Sequence, residues 1–448
     1  MAKNVNMTAG HPGRLLFFFA LPLMFGNVFQ QLYTVVDTAI VGRGVGMDAL
    51  AALGTVDWLN WVFLGIAQGF SQGFSVRMAQ KYGQGDLAGL KQAVGVSARL
   101  SIVIAIVSLT VAQLGLPLFM MLLQVPADLK PMAELYSRIV MGGIPALVFY
   151  NYCSATLRAV GDSKTPLMAM IIAALTNILL DCVAVFCLGW GIAGAAVATV
   201  FSQCLAGSIC AVKIAKSPLL RFSKKDMAKD SLLEKILLDL GVPVAIQYTV
   251  ISIGGMSLQT VVNGFAKSFI AGYTATNKLY GILEIAASSY GHAVTSYTGQ
   301  NFGAGNWDRI RKGVRWAAGI SLLTSGVISA IMVLFGREIT MLFISREDAA
   351  LALAAGDTAY HYLCVMSAAL PMLYLLYTYR SAVEGMGKTN ISLLSGMVEF
   401  AIRVGGAMIV GGFALAQHGI FYAEVGAWIG AAILLCAAYY HNVRKLAK

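Results

Sequence analysis

Charge is what this chain has least of: Asp, Glu, Lys and Arg make up only 12% of its 448 residues, about half the share of a soluble domain of that length. Cysteine pairing is also missing. The seven cysteines (Cys153, Cys182, Cys187, Cys204, Cys210, Cys364 and Cys436) are odd in number, lie in apolar stretches and form no Cys-x-x-Cys. They read as small buried hydrophobes rather than disulfides or metal ligands. No His-Glu-x-x-His, no Gly-x-x-x-x-Gly-Lys-Ser/Thr and no Gly-x-Ser-x-Gly occurs, which argues against a zinc protease, a nucleotide-driven motor and a serine hydrolase. The five histidines show no metal-ligand spacing, and His292, the one well inside an apolar stretch, reads as a hydrogen-bonded helix residue. No cofactor is implied. The polar stretch before Pro12 lacks the features of a cleavable signal peptide.

Hydrophobic residues, by contrast, make up 58% of the chain. Twelve stretches approach the ~20 residues that cross a bilayer as helix: roughly 15–41, 49–75, 93–124, 132–156, 165–188, 191–214, 236–264, 269–298, 315–336, 350–378, 391–415 and 417–440. The expected fold is an all-α integral membrane protein of twelve transmembrane helices. The net charge of +11 does not point to nucleic acid, because the basic residues gather in alternate loops. One side receives Lys3, Arg14, Arg77, Lys81, Lys91, Arg99, Arg158, Lys164, the cluster from Lys213 to Lys235, Arg309, Arg311, Lys312, Arg315, Arg380, Lys388, Arg444, Lys445 and Lys448. The other receives Arg43, Lys130, Lys267, Arg337 and Arg346. The positive-inside rule therefore places both termini in the cytoplasm of a multi-pass inner-membrane protein.

Against this background, two acids stand out inside apolar stretches. A carboxylate at membrane depth costs several kcal/mol unless water, an ion or a polar neighbour compensates it. Asn27, Gln30, Thr34 and Asp37 follow one another at i, i+3, i+7 and i+10, with Tyr33 one turn before the acid, and Asn177 and Asp181 lie one turn apart. Each set projects from one face of its helix. Such acids serve to bind or pass a cation or a proton.

The chain also repeats itself. Residues 81–94, KYGQGDLAGLKQAV, match residues 301–314, NFGAGNWDRIRKGV, keeping Gly83/Gly303, Gly85/Gly305 and Lys91/Arg311 at a spacing of 220. ALPLMFG (20–26) stands against GVPVAIQ (241–247), Pro145 against Pro371, and Val160-Gly161 against Met386-Gly387. The one long charged connection lies between the copies, giving an N-terminal six-helix lobe (1–214), a basic cytoplasmic linker (215–235) and a C-terminal six-helix lobe (236–448). Six helices per half is an even number, so the halves run in the same sense and a pseudo-twofold along the membrane normal relates them. Pro22 and Pro243 sit inside the first helix of each half, where proline removes a backbone hydrogen bond and provides a place to bend.

PLMFGNVFQQLYTVVDTAIVGR (22–43), RAVGDSKTP (158–166), NILLD (177–181) and GIAGAAVAT (191–199) together resemble the multidrug and toxic compound extrusion (MATE) family, and the resemblance extends over both halves. It implies an inner-membrane antiporter whose two bundles form a V-shaped cavity and rock to expel amphipathic organic cations in exchange for Na⁺ or H⁺, and the duplication makes a working monomer the expectation. It also implies that the coupling ion, Na⁺ if a metal, is held by Asp37, Asn177, Asp181 and Thr199, with Tyr33 one turn before the first acid. Two opposing carboxylates repel when both are ionised, so a cation or proton held between them can be exchanged for substrate. The neutral oxygens of Asn177 and Thr199 suit a hard cation.

In the second half, the repeat register places Leu258 opposite Asp37 and Arg403 opposite Asn177, so the ion site is expected in the first half alone. Gln30, Tyr33, Thr34, Met170 and Glu284 are candidates for lining the substrate cavity, and Met24, Phe29 and Met168 would add adaptable apolar wall. Glu399 and Arg403, at i, i+4, read as an ion pair, and Lys278 reads as a snorkelling side chain. The alternative within transport is a flippase for a lipid-linked sugar or cell-wall precursor, which needs a cationic cavity for pyrophosphate. The acids of the first half favour a cation. A membrane-embedded enzyme lacks its catalytic constellation here, and a passive channel has no need of paired acids in one lobe.

Overall fold

The computed structural model describes residues 5–123, 125–344, 349–412 and 419–446. Its helices are α1 (Pro12–Gly44), α2 (Met47–Gln84), α3 (Leu87–Leu122), α4 (Lys130–Gly142), α5 (Ile144–Ala159), α6 (Lys164–Cys182), α7 (Gly191–Lys216), α8 (Ser231–Val262), α9 (Lys267–Gly303), α10 (Trp307–Met341), α11 (Ala349–Gly385), α12 (Thr389–Gly412) and α13 (Gly419–Leu446). Among the described residues there is no strand.

Among the described residues, nine helices are long and apolar enough to cross a membrane, and α4 with α5, bent by 42°, makes a tenth. That pair is the single stretch expected at 132–156. Its break follows Gly142-Gly143 and puts Pro145 in the first turn of α5, where the missing N–H of proline costs least. The remaining two, α2 and α9, are 38 and 37 residues long but carry Asp57, Asn60, Gln68, Gln72 and Arg77, or Asn277, Lys278, Glu284, Gln300 and Asn301. Several of these polar groups face the protein interior rather than lipid, since Gln72, Gln300 and Asn301 are buried.

The chain forms two compact units, residues 1–6 with 21–245 and residues 7–20 with 246–448. Their boundaries fall beside Pro22 in α1 and two residues beyond Pro243 in α8, and both helices run through their proline. The basic segment before α8 docks on the first unit: Arg99 donates to the Met227 carbonyl at 3.0 Å and pairs with Glu234, and Gln92 donates to Asp230 at 2.9 Å. Gly69 and Gly73 of α2 let α8 approach so closely that a Cβ on either would lie 2.4 Å from the Cα of Ala245 or Gly241, the small-residue crossing that membrane helices favour. In the second unit, Tyr273, Tyr362 and Phe421 stack at centroid distances of 5.1 and 4.4 Å.

The internal repeat reappears in backbone conformation. Gly85 and Gly305 take φ of 74° and 70°, and Gly161 and Gly387 take 86° and 79°. These left-handed positions close helices at matching places in both units, and only glycine adopts them freely. The residue after the first pair opens the next helix in each copy. Asp86 accepts from the Gly89 amide at 2.8 Å and from Lys81 at 2.7 Å, and these hydrogen bonds hold its carboxyl below the usual carboxylate range. Asn306 takes the same position in the second copy.

Candidate cation site

In the first unit, Asp37, Asn177 and Asp181 are 8%, 1% and 0% exposed. The carboxyls of Asp37 and Asp181 face each other, and Tyr33, one turn before Asp37, is an electrostatic neighbour of both. No protein group hydrogen-bonds to Asp37 Oδ1, to either carboxylate oxygen of Asp181, or to the amide oxygen and nitrogen of Asn177. Among the described residues neither acid is in an ion pair. An unsatisfied buried polar group costs about 1–3 kcal/mol, and more when charged. Four of these five atoms are oxygens, a cluster of acceptors that a cation, a proton or water would satisfy, and the fifth is the Asn177 amide nitrogen, a donor.

The helices explain how these residues meet. Immediately after Asp181-Cys182, α6 widens into a π-turn, Val183–Cys187, a distortion that recurs at functional sites. Gly44 at the end of α1 admits that turn, since a Cβ there would lie 2.4 Å from Val185. Thr199 sits on α7, which packs against α6. Its hydroxyl donates to the Ala195 carbonyl at 3.0 Å, which leaves the oxygen lone pairs free to accept. Gln30, Tyr33, Thr34 and Met170 are partly buried or exposed along α1 and α6, and the Thr34 hydroxyl is tied to the Gln30 carbonyl at 2.9 Å. Met170 lies three turns before Asp181 on α6, roughly 16 Å along the axis.

The acids of the second unit are arranged differently. Leu258 is buried, and Arg403 donates to both oxygens of Glu424 at 2.9 and 2.6 Å. Trp428 Nε1 donates to the same carboxylate at 3.2 Å. Glu399 pairs with Arg380, which also donates to Ser395 at 3.1 Å. The i, i+4 pairing read from sequence, Glu399 with Arg403, is the long link of the chain at 3.8 Å; Glu424 and Arg380 reach in from α13 and α11 with better geometry. Glu284 accepts a hydrogen bond from the Tyr377 hydroxyl of α11, and Lys278 is exposed. The second unit thus supplies its own countercharges, whereas the first leaves its acids open.

Sequence reasoning missed four side chains. Tyr136 is an electrostatic neighbour of Asp37 and Asp181 and also of Asp57, and Arg380 and Glu424 complete the second-unit array. The test that singled out Asp37, an acid inside an apolar stretch, also detects Glu424, whereas Asp57 is one of several polar residues on α2.

Comparison with known proteins agrees with this architecture. The MatE family model matches residues 22–183 and 243–409, once in each half. A probable multidrug resistance protein of Bacillus subtilis, YpnP, is 29% identical over 89% of this chain and 88% of its own length. A second from the same organism, YoeA, is 26% identical over 96% and 94%. A solved multidrug resistance MATE family transporter in an outward-facing conformation superposes with a TM-score of 0.92 at 22% identity, covering 100% of this chain and 99% of its own. With the family model matched in both halves, and the fold shared with solved MATE transporters of twelve helices in two bundles, the chain is a member of the MATE family of membrane transporters.

Proposed function

We propose that this protein is a secondary antiporter that exports amphipathic organic cations in exchange for Na⁺ or H⁺ by alternating access, with both termini cytoplasmic and the monomer as the working unit. The observation that carries this reading is the buried trio Asp37, Asn177 and Asp181, five of whose six side-chain polar atoms no protein group satisfies. Two facing carboxylates with no basic partner favour a positive ligand, and Asn177 and Thr199 supply neutral oxygens of the kind Na⁺ takes. The relatives named for multidrug resistance support an organic cargo. A flippase for a pyrophosphate-linked lipid finds no unpaired cation in this trio to hold its headgroup.

The test is transport in liposomes of a fluorescent organic cation under an imposed Na⁺ gradient or an imposed pH gradient. Dye movement driven by one of them is the expected result and names the ion. A folded protein that moves dye under neither gradient contradicts antiport and favours the lipid-precursor reading.

A further inference from the structure

The ion site accounts for two of the acids gathered in the first unit. Asp57 is a third. From the turn joining α1 to α2, Asp37 lies about 10 Å back along its helix and Asp57 about 15 Å forward along the next, at 1.5 Å per residue. Tyr136 lies about 9 Å into α4, which starts at the same end of the unit. This buried phenol, 8% exposed, has Asp37, Asp57 and Asp181 all as electrostatic neighbours. Tyr136 is thus the side chain on which all three acids act.

Asp57 differs from the other two in its surroundings. Its side chain is exposed, while theirs are buried. An ionised group open to hydrocarbon is costly, so an exposed carboxylate on a membrane helix calls for water or a positive ligand. Trp61, one turn further along α2 and so on the same face, is 50% exposed. Gly54, one turn before, has open space where a side chain would stand. The result is an uncovered strip, Gly54–Asp57–Trp61, with a carboxylate at its centre and an aromatic ring at one end.

Two observations separate this strip from the ion site and from the requirements of the fold. Among the described residues no three acidic or imidazole or thiol side chains come close enough to hold one metal ion, so Asp57 does not join Asp37 and Asp181 as a third ligand. In the second copy of the repeat, at a spacing of 220, Asn277 and Gly281 stand where Asp57 and Trp61 do. The shared fold requires neither the charge nor the ring.

We infer that Asp57 and Trp61 form a docking point for the cationic end of the organic substrate, distinct from the inorganic cation or proton held at Asp37 and Asp181. The carboxylate supplies the countercharge and the indole face the cation–π contact that favours large, weakly hydrated cations. This assignment rests on the reading of the protein as an organic-cation exporter.

The test measures equilibrium binding of tetraphenylphosphonium, and of the neutral triphenylphosphine oxide, to purified protein. Asp57→Asn is expected to weaken phosphonium binding about tenfold, through loss of the countercharge, and to leave the neutral compound unchanged. Asp57→Glu keeps most of the affinity, and Trp61→Leu loses part of it. The ion that drives residual transport stays the same in all three. Unchanged phosphonium binding in Asp57→Asn, an equal loss for both compounds, or a change of driving ion each overturns the assignment. A folded wild-type protein that binds no phosphonium overturns the exporter reading itself, and this docking point with it.

Discussion

Asp37→Asn is expected to lose gradient-driven export while the protein folds at least as well as the wild type. The substitution keeps the shape of the side chain and removes one of two facing carboxyls, neither in an ion pair among the described residues. Removing one charge of a desolvated pair of opposite charges costs about 3–5 kcal/mol. For a cation held between Asp37 and Asp181 that corresponds to roughly a hundred- to a thousandfold loss of affinity. Stability should move the other way, because two like charges no longer share a dry site. Dye export from proteoliposomes and thermal melting of the purified variant check the two halves of the expectation. Export at the wild-type rate removes Asp37 from the mechanism. Lost export with a collapsed melting transition assigns Asp37 a structural role.

Arg403→Leu should show the opposite pattern, with a large cost in stability. Arg403 and Glu424 are almost wholly buried, with side chains 6% and 11% exposed, and the guanidinium meets both carboxylate oxygens. Removing it leaves Glu424 with only the Trp428 indole as donor and weakens the surroundings of Glu399, which keeps Arg380. Breaking a buried pair from one side costs about 3–5 kcal/mol, because the partner stays charged and uncompensated. Arg403→Leu combined with Glu424→Gln removes both charges and should recover much of that loss, a coupling that a double-mutant cycle reads directly. Thermal melting of the three variants is the measurement. Equal melting of Arg403→Leu and wild type contradicts a structural role for the pair. A double variant no better than the single one contradicts the charge argument.

These two sites show what could be read before the structure and what could not. The spans were legible because hydrocarbon imposes one long apolar run per crossing, and the duplication because left-handed glycines such as Gly85 and Gly305 are hard to replace. The break between α4 and α5 is written in Gly142-Gly143 and Pro145, yet a hydropathy window runs straight across it. Asp37, Asn177 and Asp181 were visible as polar intruders on helix faces. That their atoms are left without protein partners was not visible, since pairing depends on which helices meet in space. The same limit explains Arg403: sequence spacing offered Glu399 one turn away, and the better partner sits on α13, 21 residues along the chain. Local periodicity says nothing about that contact. Asp57 was overlooked for a different reason, because α2 carries enough polar residues that one acid among them did not stand out.

The central claim is that the Asp37–Asp181 pair holds the ion whose binding opposes substrate. Its most direct test is equilibrium binding of tetraphenylphosphonium to purified protein, titrated with Na⁺ at fixed pH and with protons at fixed Na⁺. Reciprocal linkage requires that the coupling ion weaken substrate binding by the same factor as substrate weakens the ion. The wild type should therefore lose phosphonium affinity as one of the two ions rises, and Asp181→Asn should bind phosphonium without that dependence. Binding that ignores both ions in the wild type, or an ion dependence that survives in Asp181→Asn, would contradict the account.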